Sequence, residues 1–187
     1  MRTTSKDDNA QTSGVTTTLR SARRTQALRD LVARAQSAKT PEQACTLAAE
    51  ALEDHPGDIP FALFYLVEAE GLTAKLAASS GVPDGHDGLV PVLTLQGRTF
   101  WRFADVRARM QAVTIPQLGT VLADVPPGPR AEPPHTAVVL PITSTARKLG
   151  GFLVAGVSPR ARLDAQYHGF LGNLATQIGV AIDNARA

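Results

Sequence analysis

As a string of apolar and polar positions, the chain divides into two helical stretches, a run of short strands and a closing helix. Residues 1–18 are rich in Ser and Thr and almost without large apolar groups. Such a composition cannot offset its own ordering entropy, so a disordered tail is expected there. From Leu19 to Ala38 the pattern turns helical, with Arg24, Leu28, Leu31, Val32 and Ala35 recurring at helical spacing. Thr40, Pro41 and Gln43 then supply an N-cap, a first-turn proline and a reciprocal side chain. The helix they open is expected to reach about Asp54 and to bury Ala44, Leu47, Ala48, Ala51 and Leu52.

Phe61 to Val67 is an unbroken apolar run, as in a central strand covered on both faces. The turn Glu68-Ala69-Glu70-Gly71 joins it to a second strand, Leu72 to Ser80, and so short a link requires an antiparallel hairpin. A Gly/Pro/Asp loop through Asp87 is expected to be mobile. Phe100 to Arg109 reads as a short helix and Gln111 to Ile115 as a short strand. Residues 125–134 hold five prolines and must form a stiff, extended loop. "TAVVLPITS" and "GGFLVAGVS" form a second hairpin, and Asp164 caps the last helix. Hairpin-paired strands with helices gathered at the chain ends make an α+β layered domain over residues 19–187.

In the last helix Tyr167, Leu171, Leu174, Ile178, Ala181 and Ala185 are spaced as a heptad seam, flanked by Phe170, Val180 and Ile182. Gly172 and Gly179 lie seven apart on nearly one line, and each costs up to about 1 kcal/mol relative to Ala in a helix interior. Close approach of another backbone recovers that cost. The seam is read as a homodimer contact, with packing on the helices 19–38 and 41–54 of the same chain as the alternative. "DNARA" shows no stop signal, so the helix is expected to continue into an output domain.

"PFALFYLVEAEG", "AVVLPI", "GGFLVAGVS" and "FLGNLATQIGVAIDNARA" together resemble a GAF domain, of the kind found in bacterial sensor histidine kinases and related two-component signalling proteins. The resemblance spans about residues 20–187. It implies a GAF/PAS-like antiparallel sheet of about six strands, with N- and C-terminal helices on one face forming a dimer bundle. The opposite face would hold a pocket for cyclic nucleotides, bilins, haem or other small molecules.

Charge and candidate chemistry narrow this picture. Residues 1–40 carry eight Lys/Arg against three Asp/Glu, a net +5, whereas the rest carry eleven against fourteen, a net −3. The positive charge of the arm comes without aromatic or helix-turn-helix elements, so no nucleic-acid partner is expected. No apolar run approaches the roughly 20 residues that span a bilayer, so no membrane partner is expected and a cytoplasmic location is. The single cysteine, Cys45, excludes an internal disulfide and sits in an apolar helix as a small hydrophobe. The Asn-Lys-Phe-Asp-Glu signature of cyclic-nucleotide-binding GAF domains is missing. No Cys-His pair stands where bilin-binding members attach their pigment, so covalent bilin is not expected and no cofactor is required. One cysteine also cannot serve the intramolecular disulfide of GAF-type methionine sulfoxide reductases.

Histidines 55, 86, 135 and 168 form no metal-binding spacing, and no Gly-x-Ser-x-Gly elbow occurs, so neither a metal site nor an enzyme is expected. His135, entering a core strand, is the histidine expected to face a pocket. The unusual cluster is Phe100, Trp101, Arg102 and Phe103, which by resemblance roofs the pocket. Trp101 and Phe103 could stack on a planar ligand while Arg98 or Arg102 meets its anionic group. Alternatively Trp101 and Ala104 or Asp105 seat a short helix on the sheet and fill what would otherwise be the pocket. The leading reading is a non-catalytic sensory and dimerisation module that signals through Leu171, Gly172, Leu174, Ile178, Gly179 and Ala181. The alternative is a small-molecule-binding module using Trp101, Arg102, Phe103 and His135.

Overall fold

The computed structural model describes residues 5–187 apart from 121, 123 and 126–131. Most of the proline-rich segment, and residues 1–4 of the expected tail, lie outside the described residues. Helix α1 spans Ser5–Ala35, followed by α2 (Pro41–Glu53). Strands β1 (Ala62–Val67) and β2 (Thr73–Ser80) form the first hairpin, and β3 (Val92–Thr94) follows. Next come α3 (Phe103–Arg109) and β4 (Val113–Ile115). A second hairpin of β5 (Ala137–Thr143) and β6 (Leu149–Gly156) leads into α4 (Ala165–Arg186).

The capping chemistry acts as expected. Thr40 is extended and accepts a hydrogen bond from the Gln43 amide at 3.1 Å, while Gln43 Oε1 accepts from the Lys39 amide at 2.7 Å. Asp164 accepts from the Tyr167 amide at 2.9 Å and so opens α4, and that bond holds its carboxyl below the usual carboxylate range.

The six strands form one sheet in the order β3-β2-β1-β6-β5-β4, every neighbouring pair antiparallel. β1 and β6 occupy the middle, with Leu63 opposite Val154 and Tyr65 opposite Phe152. Because side chains alternate along a strand, this register sorts them into two cores. Phe64, Leu66, Val138, Leu140, Ile142 and Leu153 face the layer of α1, α2 and α4. Leu63, Tyr65, Val139, Phe152 and Val154 face α3 and the loops around it. The unbroken apolar run of β1 therefore has the double coverage it calls for.

Three local differences from the sequence pattern have physical causes. α1 begins at Ser5, not Leu19, so residues 5–18 are helical where a disordered tail was expected. Once nucleated, a helix adds one hydrogen bond for each residue fixed, and this extension gains those bonds with Val15 and Leu19 each 60% exposed. β3 did not register because three residues with one buried side chain, Leu93, carry too little alternation. α3 starts at Phe103, not Phe100, because Arg102 takes a left-handed backbone (φ 55°) that a helix cannot contain.

Candidate functional site

On the side of the sheet away from the long helices, large rings occupy the space beneath α3. Trp101 and Phe103 are fully buried. Phe103 stacks on Phe152 with ring centres 4.1 Å apart and planes 6° from parallel, and Tyr65 meets it edge-on at 5.1 Å. The Tyr65 hydroxyl donates to the Val90 carbonyl at 2.8 Å, and burial pushes its phenol up from the ordinary value. The rings thus seat α3 on the sheet and fill the space beneath it. Two polar atoms stand out here: Trp101 Nε1 and Thr99 Oγ1 are buried and have no hydrogen-bond partner.

Two expected pocket residues lie elsewhere. Arg102 is exposed and pairs with Asp105 at 2.7 Å, because its left-handed backbone turns it outward before α3 begins. His135 is 68% exposed and faces Glu132 at 3.8 Å. It falls between buried Pro134 and half-buried Thr136 on the outward side of the alternating lead into β5, and only its carbonyl turns inward, accepting from the Leu118 amide at 2.8 Å.

The expected dimer seam is likewise an internal surface. Leu171, Leu174 and Ile178 are fully buried, and Ala181 is nearly so, within the core formed with α1, α2 and the sheet. Gly179 lies against the end of β5, where a Cβ would collide with the Thr143 carbonyl oxygen. A Cβ on Gly172 would meet nothing within 4 Å. The heptad spacing is real, but it serves the contact of α4 with its own chain. A three-layer domain needs an apolar stripe on that helix whether or not a second copy is present.

One cluster escaped the sequence reading. Asp58, in the link from α2 to β1, is buried and meets Arg24 at 3.3 Å and Arg23 at 3.6 Å. The Arg24 guanidinium lies over the Tyr167 ring, 4.3 Å from its centre. The Tyr167 hydroxyl donates to the Asp58 carbonyl and accepts from the Ser158 amide at 3.0 Å. Burial pushes the Tyr167 phenol up to about 12. This cluster ties α1, α4 and both intervening links together. Its signal was Arg24, a charge standing on the apolar stripe of the first helix.

The remaining candidates behave as ordinary groups. Cys45 is buried in α2, and burial pushes its thiol up to about 12, the opposite of an activated nucleophile. His55 pairs with Asp30 at 2.7 Å, and His86 accepts from the Gly88 amide at 3.0 Å within its own loop. Among the described residues no three His, Cys, Asp or Glu side chains could jointly hold a metal ion. Among them, too, no helix is long and apolar enough to cross a membrane.

The model of the GAF domain family matches residues 38–183. No curated protein matches the sequence. Among solved structures, the GAF domain of a phosphoenolpyruvate-protein phosphotransferase from Coxiella burnetii is similar at 21% identity and TM-score 0.62, covering 88% of this chain and 95% of that one. Free methionine-R-sulfoxide reductase from Neisseria meningitidis, solved with its substrate, is similar at 18% identity and TM-score 0.63, over 87% and 90% of the two chains. The phycoerythrobilin-bound GAF domain of a cyanobacterial phytochrome is similar at 14% identity and TM-score 0.60, over 87% and 96%. At these identities the likeness is one of fold.

Proposed function

The chain belongs to the GAF domain family, and from that premise we propose that it is a cytoplasmic, non-catalytic sensory and dimerisation module of a bacterial signal-transduction protein of the two-component, histidine-kinase kind. Its helices α1 and α4 pass a conformational bias to an output domain. The observation that carries this reading is the way α1 and α4 pack against each other over one sheet face. Along their junction they leave an outward, shallow groove of about 420 Å³ lined by Leu28, Arg29, Val32 and Ala33 of α1, by Gln36 and by Gln177 of α4. A second copy docked in this groove would cover Leu28 and Val32, which one chain leaves half-buried, and the exposed Ala33. The dimer contact is thus assigned to the outer side of the two helices, since the heptad seam of α4 is spent inside the chain. The raised thiol of buried Cys45 speaks against thiolate chemistry at that residue.

Light scattering on the eluting peak of a sizing column tests this. The expected result is twice the 19.7 kDa chain mass, reverting to a single mass for Ala33→Glu with helix content unchanged. A wild-type monomer at high concentration contradicts the dimer.

The unpartnered Trp101 Nε1 and Thr99 Oγ1 favour a second reading, a small molecule offering a hydrogen-bond acceptor to the aromatic side of the sheet. Native mass spectrometry of freshly purified protein would then show a stoichiometric adduct, lost in Trp101→Phe. A bare mass in the wild type removes this reading and leaves the first untouched.

A further inference from the structure

Where α1 crosses the ends of β1 and β6, a cleft of about 260 Å³ lies between the helix and the links before β1 and after β6. It is separate from the aromatic face, and its chemistry is different. Arg20, Arg23 and Arg160 stand around it, over an apolar strip that includes Pro60 and Pro159. Their charges are incompletely matched. Arg23 shares Asp58 with Arg24, at 3.6 and 3.3 Å, and Arg160 reaches Glu132 at 3.5 Å. Arg20 meets no carboxylate among the described residues; its hydrogen bond is a long one, 3.5 Å, to the Arg160 carbonyl. Three guanidinium groups, those of Arg20, Arg23 and Arg160, thus stand around a cleft lined by two carboxylates, Asp58 and Glu132, and Asp58 is already shared with Arg24.

We propose that this cleft is an effector site for a small organic oxyanion, a carboxylate or phosphate monoester with a short apolar body, held by Arg20, Arg23 and Arg160. A guanidinium offers five donors in a planar fork suited to two oxygens at once, and Arg20 spends one of them. The volume is below the roughly 300–1,000 Å³ of drug-sized sites, which sets the ligand class as small. The apolar strip contacts the body while the arginines hold the head. The site also has a route outward. Asp58 lines the cleft, holds Arg24 of α1 and accepts at its carbonyl from Tyr167 of α4. An anion that draws Arg23 away from Asp58 redistributes the charge on the residue that ties the two long helices together. Occupancy here is thereby coupled to the α1–α4 contact, whatever the aromatic face holds.

The test is an amide NMR titration of the full chain with benzoate and with phenyl phosphate, at constant ionic strength set by sodium chloride. Saturable shifts are expected at Gly57, Asp58 and Ser158 with one or both anions, and none with benzamidine, which has similar size and opposite charge. Saturation by benzoate alone assigns a carboxylate head, and by phenyl phosphate alone a phosphate head. Arg20→Gln, with its melting temperature checked, should weaken binding about tenfold, the loss expected for one charge-assisted hydrogen bond. Arg160→Gln should weaken it in the same direction. Shifts no larger than those from sodium chloride, equal binding of benzamidine, or undiminished affinity in both folded variants would each overturn the proposal.

Discussion

The two faces of the central sheet are covered in opposite ways. On one, Ala27, Ala35, Ala44, Ala48 and Ala51 let three helices approach closely, around a layer that also holds Leu31, Tyr167 and Phe170. On the other, Trp101 and Phe103 do the covering, with Phe103 packed on Tyr65 of β1 and Phe152 of β6, so large rings stand at the centre of this layer. Small residues allow long elements to lie side by side and to shift together. Large interlocked rings close a space and resist its opening. This contrast is the ground for proposing the helical layer, rather than the aromatic side, as the part that transmits a signal.

The largest effect is expected from opening the aromatic side. Trp101→Ala removes a fully buried ring and should cost about 3–5 kcal/mol in urea unfolding. A loss under about 1 kcal/mol would mean that the ring fills no packed space. On the helical side the next effect is a dependence on alkaline pH. The Tyr167 phenol is raised from 10.0 to about 12 in the folded chain, so the folded state keeps a proton that the unfolded state has released. That stability is fully present below pH 10 and is lost as pH rises to 12, by about 2–3 kcal/mol for a two-unit shift. Cys45, raised from 9.0 to about 12, acts in the same direction. Melting temperature followed from pH 9 to 12 should fall more steeply in the wild type than in Tyr167→Phe, and parallel curves would contradict this.

Two glycines of α4 give the smaller effects, with opposite signs. Gly179→Ala drives a Cβ into the Thr143 carbonyl and should destabilise by about 1–3 kcal/mol. Gly172→Ala meets open space and should stabilise by up to about 1 kcal/mol through helix propensity. Denaturant midpoints of the pair check both signs, and equal shifts would undo the assignment of Gly179 to the internal contact.

Those glycines also mark how far the sequence could be read. Their spacing identified one line of close approach, and for Gly179 this was correct, but spacing alone does not say which backbone approaches. The same holds for Leu171, Leu174 and Ile178, whose heptad fits an internal layer as well as a second copy. The double coverage of β1, the Thr40 cap and the Asp164 cap were legible because each rests on neighbouring residues. β3 was not legible, since its pairing with β2 is decided by tertiary contact over three residues. Of the candidate site, Trp101 and Phe103 are buried on the side of the sheet where the sequence reading put them. Arg102 and His135 are not, because a left-handed backbone and the phase of alternation turn them outward. The Asp58, Arg24 and Tyr167 cluster spans more than a hundred residues of chain, and only the stray charge on an apolar stripe hinted at it.

The central claim is that the aromatic face is closed by the chain's own rings, which is the ground for proposing the helical layer as the functional one. Because Trp101 is the only tryptophan, its fluorescence reports on that face alone. Acrylamide quenching of the native protein measures the claim directly. A blue-shifted emission with quenching far below that of the unfolded chain is the expected result. Emission and quenching like those of a solvent-exposed indole would show an open cavity and contradict the account.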